Sequence, residues 1–524
     1  MQAITQPFRI KETGRVKEVR KFIVKIEGLP SCMSGERVKF PDGTSGLVMG
    51  FNEKEALVIS LGYEANIRIG AEVLAENAEF RIPVGEALIG RIVNALGEPC
   101  DGRGTILADS PSTSLGMVRG MVSSPNHGQR SADSGQNKLN AERYTLNADY
   151  YPVFREAPPT MERGEVDEDF RTGIKIIDTL IPLGKGQRVL VFGDRMSGKT
   201  SVATDAIINQ RGKDMICIYC SIGKSYSSLL KVVQLLKKFD CFEYTALVSA
   251  GASSPCAQQY LAPYTASAIG EYFMNKGKDV LLVFDDLTKH AWAYRQISLL
   301  LERSPGREAY PGDIYYIHSQ LLERSGKLSE EKGAGSMTLF CIADTLQGDV
   351  SGYIPSNLIS MLDGQIYLST TLFAEGFKPA IDFSSSVSII GARTQHPAIK
   401  DAAGRVKIEY AQYRELLKLT RLKSALSPEA EAKIRRGEIV SELLKQNRNS
   451  PVSLEEQVIL LYAFDRGILD KMPDDEIKRF KKDFFEFVKK TKPEIPEALE
   501  EKKPLSKAVT QEIDECLRKF FSRA

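Results

Sequence analysis

The stretch "GDRMSGKT" at residues 193–200, the phosphate loop, constrains the fold most because it requires a strand before it and a helix after it. It fits the pattern G-x-x-x-x-G-K-[S/T], in which successive backbone N–H groups surround a phosphate chain. The apolar run "RVLVF" precedes the loop, and "SVATDAIINQ" follows it as a candidate helix. Gly193 and Gly198 would let the backbone approach phosphate oxygens at the positive end of that helix. The sequence therefore predicts a phosphate-binding site in a domain of alternating strands and helices.

An acidic pair follows a second apolar strand and completes the predicted site. The run "DVLLVFDD" places Asp285 and Asp286 at the carboxyl end of that strand. Lys199 would pair with the β- and γ-phosphates, while Thr200 and Asp285 would hold Mg²⁺, Asp285 through water. We therefore expect ATP and Mg²⁺ as cofactors. The predicted nucleotide contacts at this place are Gly193, Asp194, Arg195, Met196, Ser197, Gly198, Lys199, Thr200 and Asp285.

Composition and charge argue against several other classes of protein. The net charge of +2 provides no bulk field that would attract nucleic acid, so none is expected as a partner. The sequence contains no apolar run of about eighteen residues, and its N-terminus lacks the apolar core of a signal peptide. The eight cysteines are scattered, and Cys217 and Cys220 would face opposite sides of a strand. They are expected to be reduced core residues rather than zinc ligands.

The chain divides into regions of different composition. Residues 10–100 hold short β-rich runs separated by turn signals, which indicates a small barrel or sandwich. Residues 105–150 are rich in Ser, Gly and Asn and are expected to form a surface insert or linker. From about residue 170 to 395, strand-like and helical stretches alternate, which predicts a parallel sheet covered by helices. The rest is helical, with predicted helix starts at Ser427 and Ser453.

Long stretches outside the phosphate loop carry a resemblance to a known family. They are "IPVGEALIGRIVNALGEPCDGRG", "TGIKIIDTLIPLGKGQR", "QYLAPYTASAIGEYF", "AYRQISLLLERSPGREAYPGDIYYIHSQLLERSGK" and "SELLKQNRNSPVSLEEQV". With the loop, they resemble the alpha subunit of F-type ATP synthases over most of the chain. The resemblance implies a multi-domain fold. Its parts would be an N-terminal β-barrel (1–104), an insert and linker (105–160), a RecA-like α/β P-loop domain (161–398) and a C-terminal α-helical bundle (399–524).

The same resemblance implies a role and partners. Alpha subunits of this family bind Mg-ATP without turning it over and alternate with catalytic beta subunits in a hexamer around a gamma stalk. Such a rotary complex translocates protons and lies peripherally on the cytoplasmic face of the inner or plasma membrane. The subunit would meet the membrane only through the assembled complex. The family's N-terminal segment, which docks the peripheral stalk, is shortened here, and that contact is left open.

Two groups of site residues are carried over from the resemblance alone. Contacts with the adenine would fall at Lys378, Pro379, Gln446 and Arg448, although the family has arginine and glutamine at the first and last of these positions. A family position that is required for activity falls at Ser386.

The chain departs from the family where chemistry is expected. Hydrolysis needs a carboxylate that orients the attacking water, and catalytic subunits carry it at the position of Lys224, which cannot act as that base. Met196 and Leu346 replace polar residues of the family. In "SVSIIGARTQ", Ile389 replaces the arginine that reaches the neighbouring beta site. Arg393 is either an ordinary surface arginine or a substitute for that arginine finger.

Three functions are consistent with this sequence. The leading one is a non-catalytic, regulatory alpha subunit of a rotary ATP synthase. The second is a subunit of an F-type-like assembly repurposed away from ATP synthesis, which Ile389, the insert and the short N-terminus favour. The third is a standalone hexameric P-loop ATPase motor, which would need its own glutamate and arginine. We expect the chain's own nucleotide site to be non-catalytic.

Overall fold

The computed structural model describes residues 12–52, 54–62, 67–106, 149–420 and 427–522, and it begins with a closed antiparallel barrel. The barrel strands are β1 Thr13–Arg20, β2 Ile23–Glu27, β3 Glu36–Lys39, β4 Ser45–Phe51, β5 Glu55–Ser60 and β6 Glu72–Glu79, hydrogen-bonded in the order β1-β2-β5-β4-β3-β6. Residues 13–15 pair with residues 72–74 and close the barrel. Buried valine and isoleucine side chains fill its interior, among them Val24, Ile26, Val38 and Val58. Of the barrel and the sandwich that the sequence left open, the barrel is confirmed.

The connection from the barrel to the rest of the chain is a small two-stranded sheet. In it β7 Arg81–Val84 pairs antiparallel with β9 Asp149–Pro152. Between these strands, β8 Ile92–Val93 pairs with a strand of the central sheet. Residues 107–148, most of the expected insert, lie outside the described residues. The expected domain limits, including the one at residue 104, stay predictions.

The central domain is a largely parallel sheet covered by helices. Besides β8 its strands are β12 Arg188–Gly193, β13 Met215–Ile222, β14 Thr245–Ala250, β15 Asp279–Asp285, β16 Gly326–Lys327, β17 Ser336–Asp344, β18 Gly364–Leu368 and β19 Val387–Ser388. They are ordered β19-β18-β12-β17-β15-β13-β14-β8, with β16 beside β17. Two further strands, β10 Asp169–Phe170 and β11 Leu183–Gly184, pair separately. The helices are α1 Lys175–Leu180, α2 Lys199–Ile208, α3 Tyr226–Lys238, α4 Cys256–Asn275, α5 Leu287–Leu300, α6 Ile314–Leu322, α7 Tyr353–Met361, α8 Thr370–Ala374 and α9 Gly391–Thr394.

The inner strands β12, β13, β14, β15 and β17 are buried on both faces, which explains their nearly continuous apolar runs. In β13, Cys217 packs into the core on one face and Cys220 into the core on the other. The prediction that these two cysteines face opposite sides of a strand is therefore confirmed. Both are free thiols, and burial raises the pKa of each well above its ordinary value.

The C-terminal part is helical, as the sequence predicts. Its helices are α10 Pro397–Thr420, α11 Pro428–Leu444, α12 Leu454–Asp465, α13 Asp474–Thr491, α14 Glu494–Glu500 and α15 Lys507–Ser522. The Ser427 hydroxyl accepts the Ala430 N–H at 3.3 Å, and the Ser453 hydroxyl accepts the Glu456 N–H at 3.4 Å. Both predicted helix starts are confirmed, because each serine caps the first turn of its helix. In the ranges that the structure describes, no helix combines the length and apolar character of a membrane span.

Candidate functional site

The phosphate loop joins the end of β12 to the start of α2, as its sequence requires. Gly193 ends the strand at φ 149°, and a Cβ atom there would lie 2.3 Å from the carbonyl oxygen of Leu368. Gly198 precedes the helix in the left-handed region, at φ 108°. Because both backbone conformations strongly favour glycine, the loop can take this path only with glycine at its two ends. The N-terminus of α2 then points its free N–H groups into the loop.

Lys199 is buried inside the curve of the loop. Its Nζ atom donates to the carbonyl oxygens of Gly193 at 2.8 Å and Asp194 at 2.6 Å. It also lies 3.1 Å from Oδ1 of Asp344, which ends the neighbouring strand β17. The loop and Asp344 therefore hold the ammonium group inside the curve of the loop, and its pairing with the β- and γ-phosphates stays a prediction.

The structure brings Thr200 and Asp285 together, as expected for the predicted metal site. Asp285 ends β15 and is completely buried. The Thr200 hydroxyl donates to Oδ2 of Asp285 at 2.9 Å, and the Tyr219 hydroxyl donates to the same oxygen at 2.5 Å. The carboxylate is therefore fixed by two hydroxyl groups from α2 and β13.

Lys224 reaches between these two predicted metal ligands. Its Nζ atom lies 2.5 Å from Oδ1 of Asp285 and donates to Oγ1 of Thr200 at 2.9 Å. Mg²⁺ requires oxygen ligands at about 2.0–2.1 Å in near-octahedral geometry, and an ammonium group 2.9 Å from Thr200 Oγ1 occupies the space of an ion bound to that oxygen. Its ion pair with Asp285 also occupies the place of the water through which Asp285 would hold the ion. With Lys224 in this position the residues do not fit a metal ion, and the magnesium site stays a prediction.

Asp286 adds a further carboxyl group beside the site. Burial, together with the nearby charges of Asp344 and Asp285, raises its pKa to about 7. Its Oδ1 atom accepts the N–H of Lys289 at 2.8 Å and caps α5. Asp286 therefore has a structural role in the first turn of this helix.

A cleft of about 690 Å³ opens over the phosphate loop. Its cationic side chains are Arg195, Lys199, Lys224, Lys231, Lys289 and Arg448. Its carboxyl groups are those of Asp285, Asp286 and Asp344, and they lie at the strand ends. The positive side chains and the helix N-terminus suit a polyphosphate.

The expected adenine contacts lie at the junction with the helical part. Arg448 lines the cleft. The backbone N–H of Gln446 donates to the carbonyl of Lys378 at 2.8 Å, which brings Gln446 beside Lys378 and the following Pro379. The Gln446 side chain accepts the N–H of Lys175 at 2.9 Å. Of the four residues, Arg448 lines the cleft and the other three lie together, and their role toward adenine stays a prediction.

Ser386 and its neighbours lie along the edge strand β19, with Ser386 beside Tyr367 near the carboxyl end of β18 and Ile389 beyond its amino end. Ser388 pairs with Gly364 at the amino end of β18, whereas the phosphate loop lies at the carboxyl ends of the strands. The Ser386 hydroxyl donates to the carbonyl of Asp382 at 2.6 Å and accepts the N–H of Tyr367 at 2.9 Å. These bonds to backbone groups hold the segment against the sheet.

Ile389 and Arg393 are exposed on this edge. Ile389 is 75% exposed, and Arg393 donates from Nη2 to Oε2 of Glu165 at 2.5 Å. Ile389 lies beyond the amino end of β18, away from the phosphate loop, and a role of either residue at another subunit stays a prediction.

Sequence reasoning missed Tyr219 and Asp344 as members of the site. Asp344 ends the apolar run "SMTLFCIAD", so the pattern that identified Asp285 would also have identified Asp344. Tyr219 carries no such signal, because only the pairing of β13 with β15 brings its ring to Asp285.

Comparison with known proteins agrees with this architecture. Profiles of the ATP synthase alpha/beta family match the chain with the beta-barrel domain at residues 10–77, the nucleotide-binding domain at 173–388 and the C-terminal domain at 395–520. The ATP synthase subunit alpha of Petrotoga mobilis is 42% identical over 517 residues, which cover 98% of this chain and 95% of that protein. The chain therefore belongs to the ATP synthase alpha/beta family, as one of its alpha subunits.

Proposed function

We propose that this alpha subunit binds ATP and does not hydrolyse it. The observation that carries the proposal is Lys224, which stands where hydrolysis needs a carboxylate to orient water. Its ammonium is tied to Thr200 and Asp285 at the mouth of the phosphate loop. An ammonium group so placed donates hydrogen bonds and cannot accept a proton from water. We infer that the site holds a phosphate chain but has no group at the position of Lys224 that could activate water.

The neighbouring carboxyl groups of Asp285 and Asp286 do not replace the missing base. Asp286 is almost completely buried and uses its Oδ1 atom to cap α5. Asp285 is bound by Thr200, Tyr219 and Lys224, which leaves its carboxylate no freedom to take a proton from water. The same argument disfavours a standalone motor, which needs a base of its own.

The proposal extends to the assembly. The subunit would alternate with catalytic beta subunits in a hexamer around a gamma stalk, in a rotary complex that translocates protons and lies peripherally on a membrane. This extension is supported by the relative from Petrotoga mobilis, which bears the name ATP synthase subunit alpha. It is also supported by the exposed edge that carries Ile389 and Arg393, on the side away from the chain's own phosphate loop.

One observation favours a second function. Ile389 is 75% exposed and apolar at the place where the family carries its arginine finger. An assembly that no longer synthesises ATP does not need that arginine. The alternative is therefore a subunit of a related ring with a different task.

The purified full chain tests the proposal directly. Isothermal titration should show ATP binding that Lys199→Ala removes, while a steady-state phosphate-release assay should show no turnover. Multiple turnovers that disappear in Lys199→Ala would contradict the non-catalytic role. Lys231→Gln is the matched control, because Lys231 lines the cleft without entering the loop and should weaken binding only partly.

A further inference from the structure

The candidate metal site already holds a positive charge of the chain's own. The Lys224 ammonium lies 2.9 Å from Thr200 Oγ1 and 2.5 Å from Asp285 Oδ1, on the two residues predicted to hold Mg²⁺, the second of them through water. The Tyr219 hydroxyl completes the hydrogen bonding of this carboxylate at its other oxygen. The ammonium group therefore neutralises the Asp285 carboxylate, and it bonds to oxygens of both residues that were predicted to hold the metal ion.

The backbone around Lys224 is fixed on both sides, so the fold sets the point from which its side chain extends. Gly223 takes φ +60°, and a Cβ atom there would lie 2.9 Å from the Cβ of Lys289. The carbonyl oxygen of Lys224 accepts the N–H of Ala252 at 2.8 Å. The next residue, Ser225, caps α3 by accepting the N–H of Ser228. The lysine thus leaves a rigid turn and points into the cleft.

The charged side chains that line the cleft also indicate that Lys224 stands in for a metal ion. A divalent ion at this place normally offsets the negative charge of the β- and γ-phosphates. Here Lys199 and Lys224 both lie at the loop, and Lys231, Lys289 and Arg448 line the cleft around them. With Arg195, the cleft carries six cationic side chains against the three carboxyl groups of Asp285, Asp286 and Asp344, so its excess of positive charge would offset part of the phosphate charge without a metal ion.

We propose that the Lys224 ammonium takes the place of the divalent metal, so that this site binds ATP as well without Mg²⁺ as with it. The inference rests on the proposed function, because it assumes that the cleft binds ATP. It goes beyond that function in two ways. The ligand is ATP without a metal ion, and Lys224 helps to bind it.

The test compares the dissociation constant for ATP in excess Mg²⁺ and in EDTA, using isothermal titration of the full chain. For the unaltered chain, we expect the two constants to agree within about threefold, which is less than 1 kcal/mol. Lys224→Gln vacates the position between Thr200 and Asp285, so its affinity should fall at least about tenfold on removing Mg²⁺. Lys231→Gln should weaken binding equally in both conditions, because Lys231 does not touch those two oxygens.

The outcomes separate this inference from the proposed function. Loss of about tenfold or more in EDTA by the unaltered chain would overturn the inference and leave ATP binding intact. Undetectable binding with and without Mg²⁺ would overturn the proposed function itself. If circular dichroism shows that Lys224→Gln does not fold, the ratio of the two ATP dissociation constants of the unaltered chain decides the inference by itself.

Discussion

Arg393 donates a hydrogen bond to Glu165 at 2.5 Å, and the two side chains are 67% and 74% exposed. An ion pair this exposed typically contributes only about 0–1 kcal/mol. Arg393 can therefore leave Glu165 for a phosphate on a neighbouring subunit at little cost. The exposed Ile389, four residues earlier, can make no such contact because it carries neither a charge nor a hydrogen-bond donor.

The first prediction concerns the neighbouring catalytic site in an assembled ring. Arginine fingers in related nucleotide hydrolases contribute about 10³- to 10⁵-fold to the rate, which corresponds to about 4–7 kcal/mol of barrier. We expect Ile389→Arg to raise the steady-state ATPase rate of a ring with standard beta subunits by at least about tenfold. The measurement is phosphate release by the purified ring.

Arg393→Ala serves as the companion variant in the same assay. If Ile389 leaves the neighbouring site without a finger, Arg393→Ala should not change the slow rate. A fast unaltered ring that Arg393→Ala slows would assign the finger to Arg393. A fast ring that is indifferent to both changes would show that this subunit supplies no finger.

The second prediction tests the first glycine of the phosphate loop. In Gly193→Ala the new methyl group would lie 2.3 Å from the Leu368 carbonyl, at a backbone φ that alanine rarely adopts. The loop must shift, so ATP affinity should fall at least about tenfold. Gly404→Ala is the matched control, since a Cβ at Gly404 meets nothing within 4 Å. Equal affinities for the two variants would contradict the steric argument.

The third prediction concerns a buried ion pair of the central domain. Arg324 donates to both carboxylate oxygens of Glu271, at 2.6 and 2.9 Å, and to the Val153 carbonyl at 2.8 Å. Arg324→Met leaves the Glu271 charge buried with only Arg155 nearby, at 3.4 Å. We expect a loss of about 3–5 kcal/mol in the free energy of unfolding, measured by denaturant titration.

The double variant Arg324→Met/Glu271→Gln checks the cause of that loss. It removes the carboxylate charge that has lost Arg324 and should therefore recover part of the lost stability. A double variant that is less stable than Arg324→Met would show that lost packing, rather than the buried charge, dominates the effect.

Local patterns were enough to predict the elements that hold the site. The strand before the loop, the helix after it and the position of Asp285 follow from short runs of residues, as do the caps at Ser427 and Ser453. Each depends on contacts within a few positions along the chain, which the sequence displays directly. The closure of the barrel depends instead on residues 13–15 meeting residues 72–74, and the sequence alone could not separate it from a sandwich.

Only part of the chemistry of the site could be predicted from the sequence. Comparison with the family placed Lys224 at the position of the catalytic carboxylate and thereby indicated that the base is absent. Its bonds to Thr200 and Asp285 could not be predicted, because they depend on how α2, β13 and β15 pack around the turn at Gly223. For the same reason, the predicted magnesium site did not include the Lys224 ammonium group between Thr200 and Asp285.

Two buried histidines make the stability of the central domain sensitive to acid. His290 and His318 are completely buried, with ring centroids 5.7 Å apart, and His290 stacks on Tyr260. Burial and the nearby His318 lower the pKa of His290 to about 3, and burial lowers the pKa of His318 to about 4. Both side chains are therefore neutral in the folded chain at pH 7.

The last prediction follows from the sign of these shifts. In the unfolded chain each histidine takes up a proton near its ordinary pKa of about 6.5, whereas the folded chain resists protonation until about pH 4. Stability is therefore fully present above pH 6.5 and falls as the pH decreases, by about 1.4 kcal/mol per pH unit for each histidine. At pH 5 the two together should remove about 4 kcal/mol. The variant His290→Phe/His318→Leu should flatten the pH dependence of the unfolding midpoint between pH 6.5 and 4.5, and each single variant should remove about half of it. A double variant whose midpoint falls as steeply as that of the unaltered chain would assign the acid sensitivity to other groups.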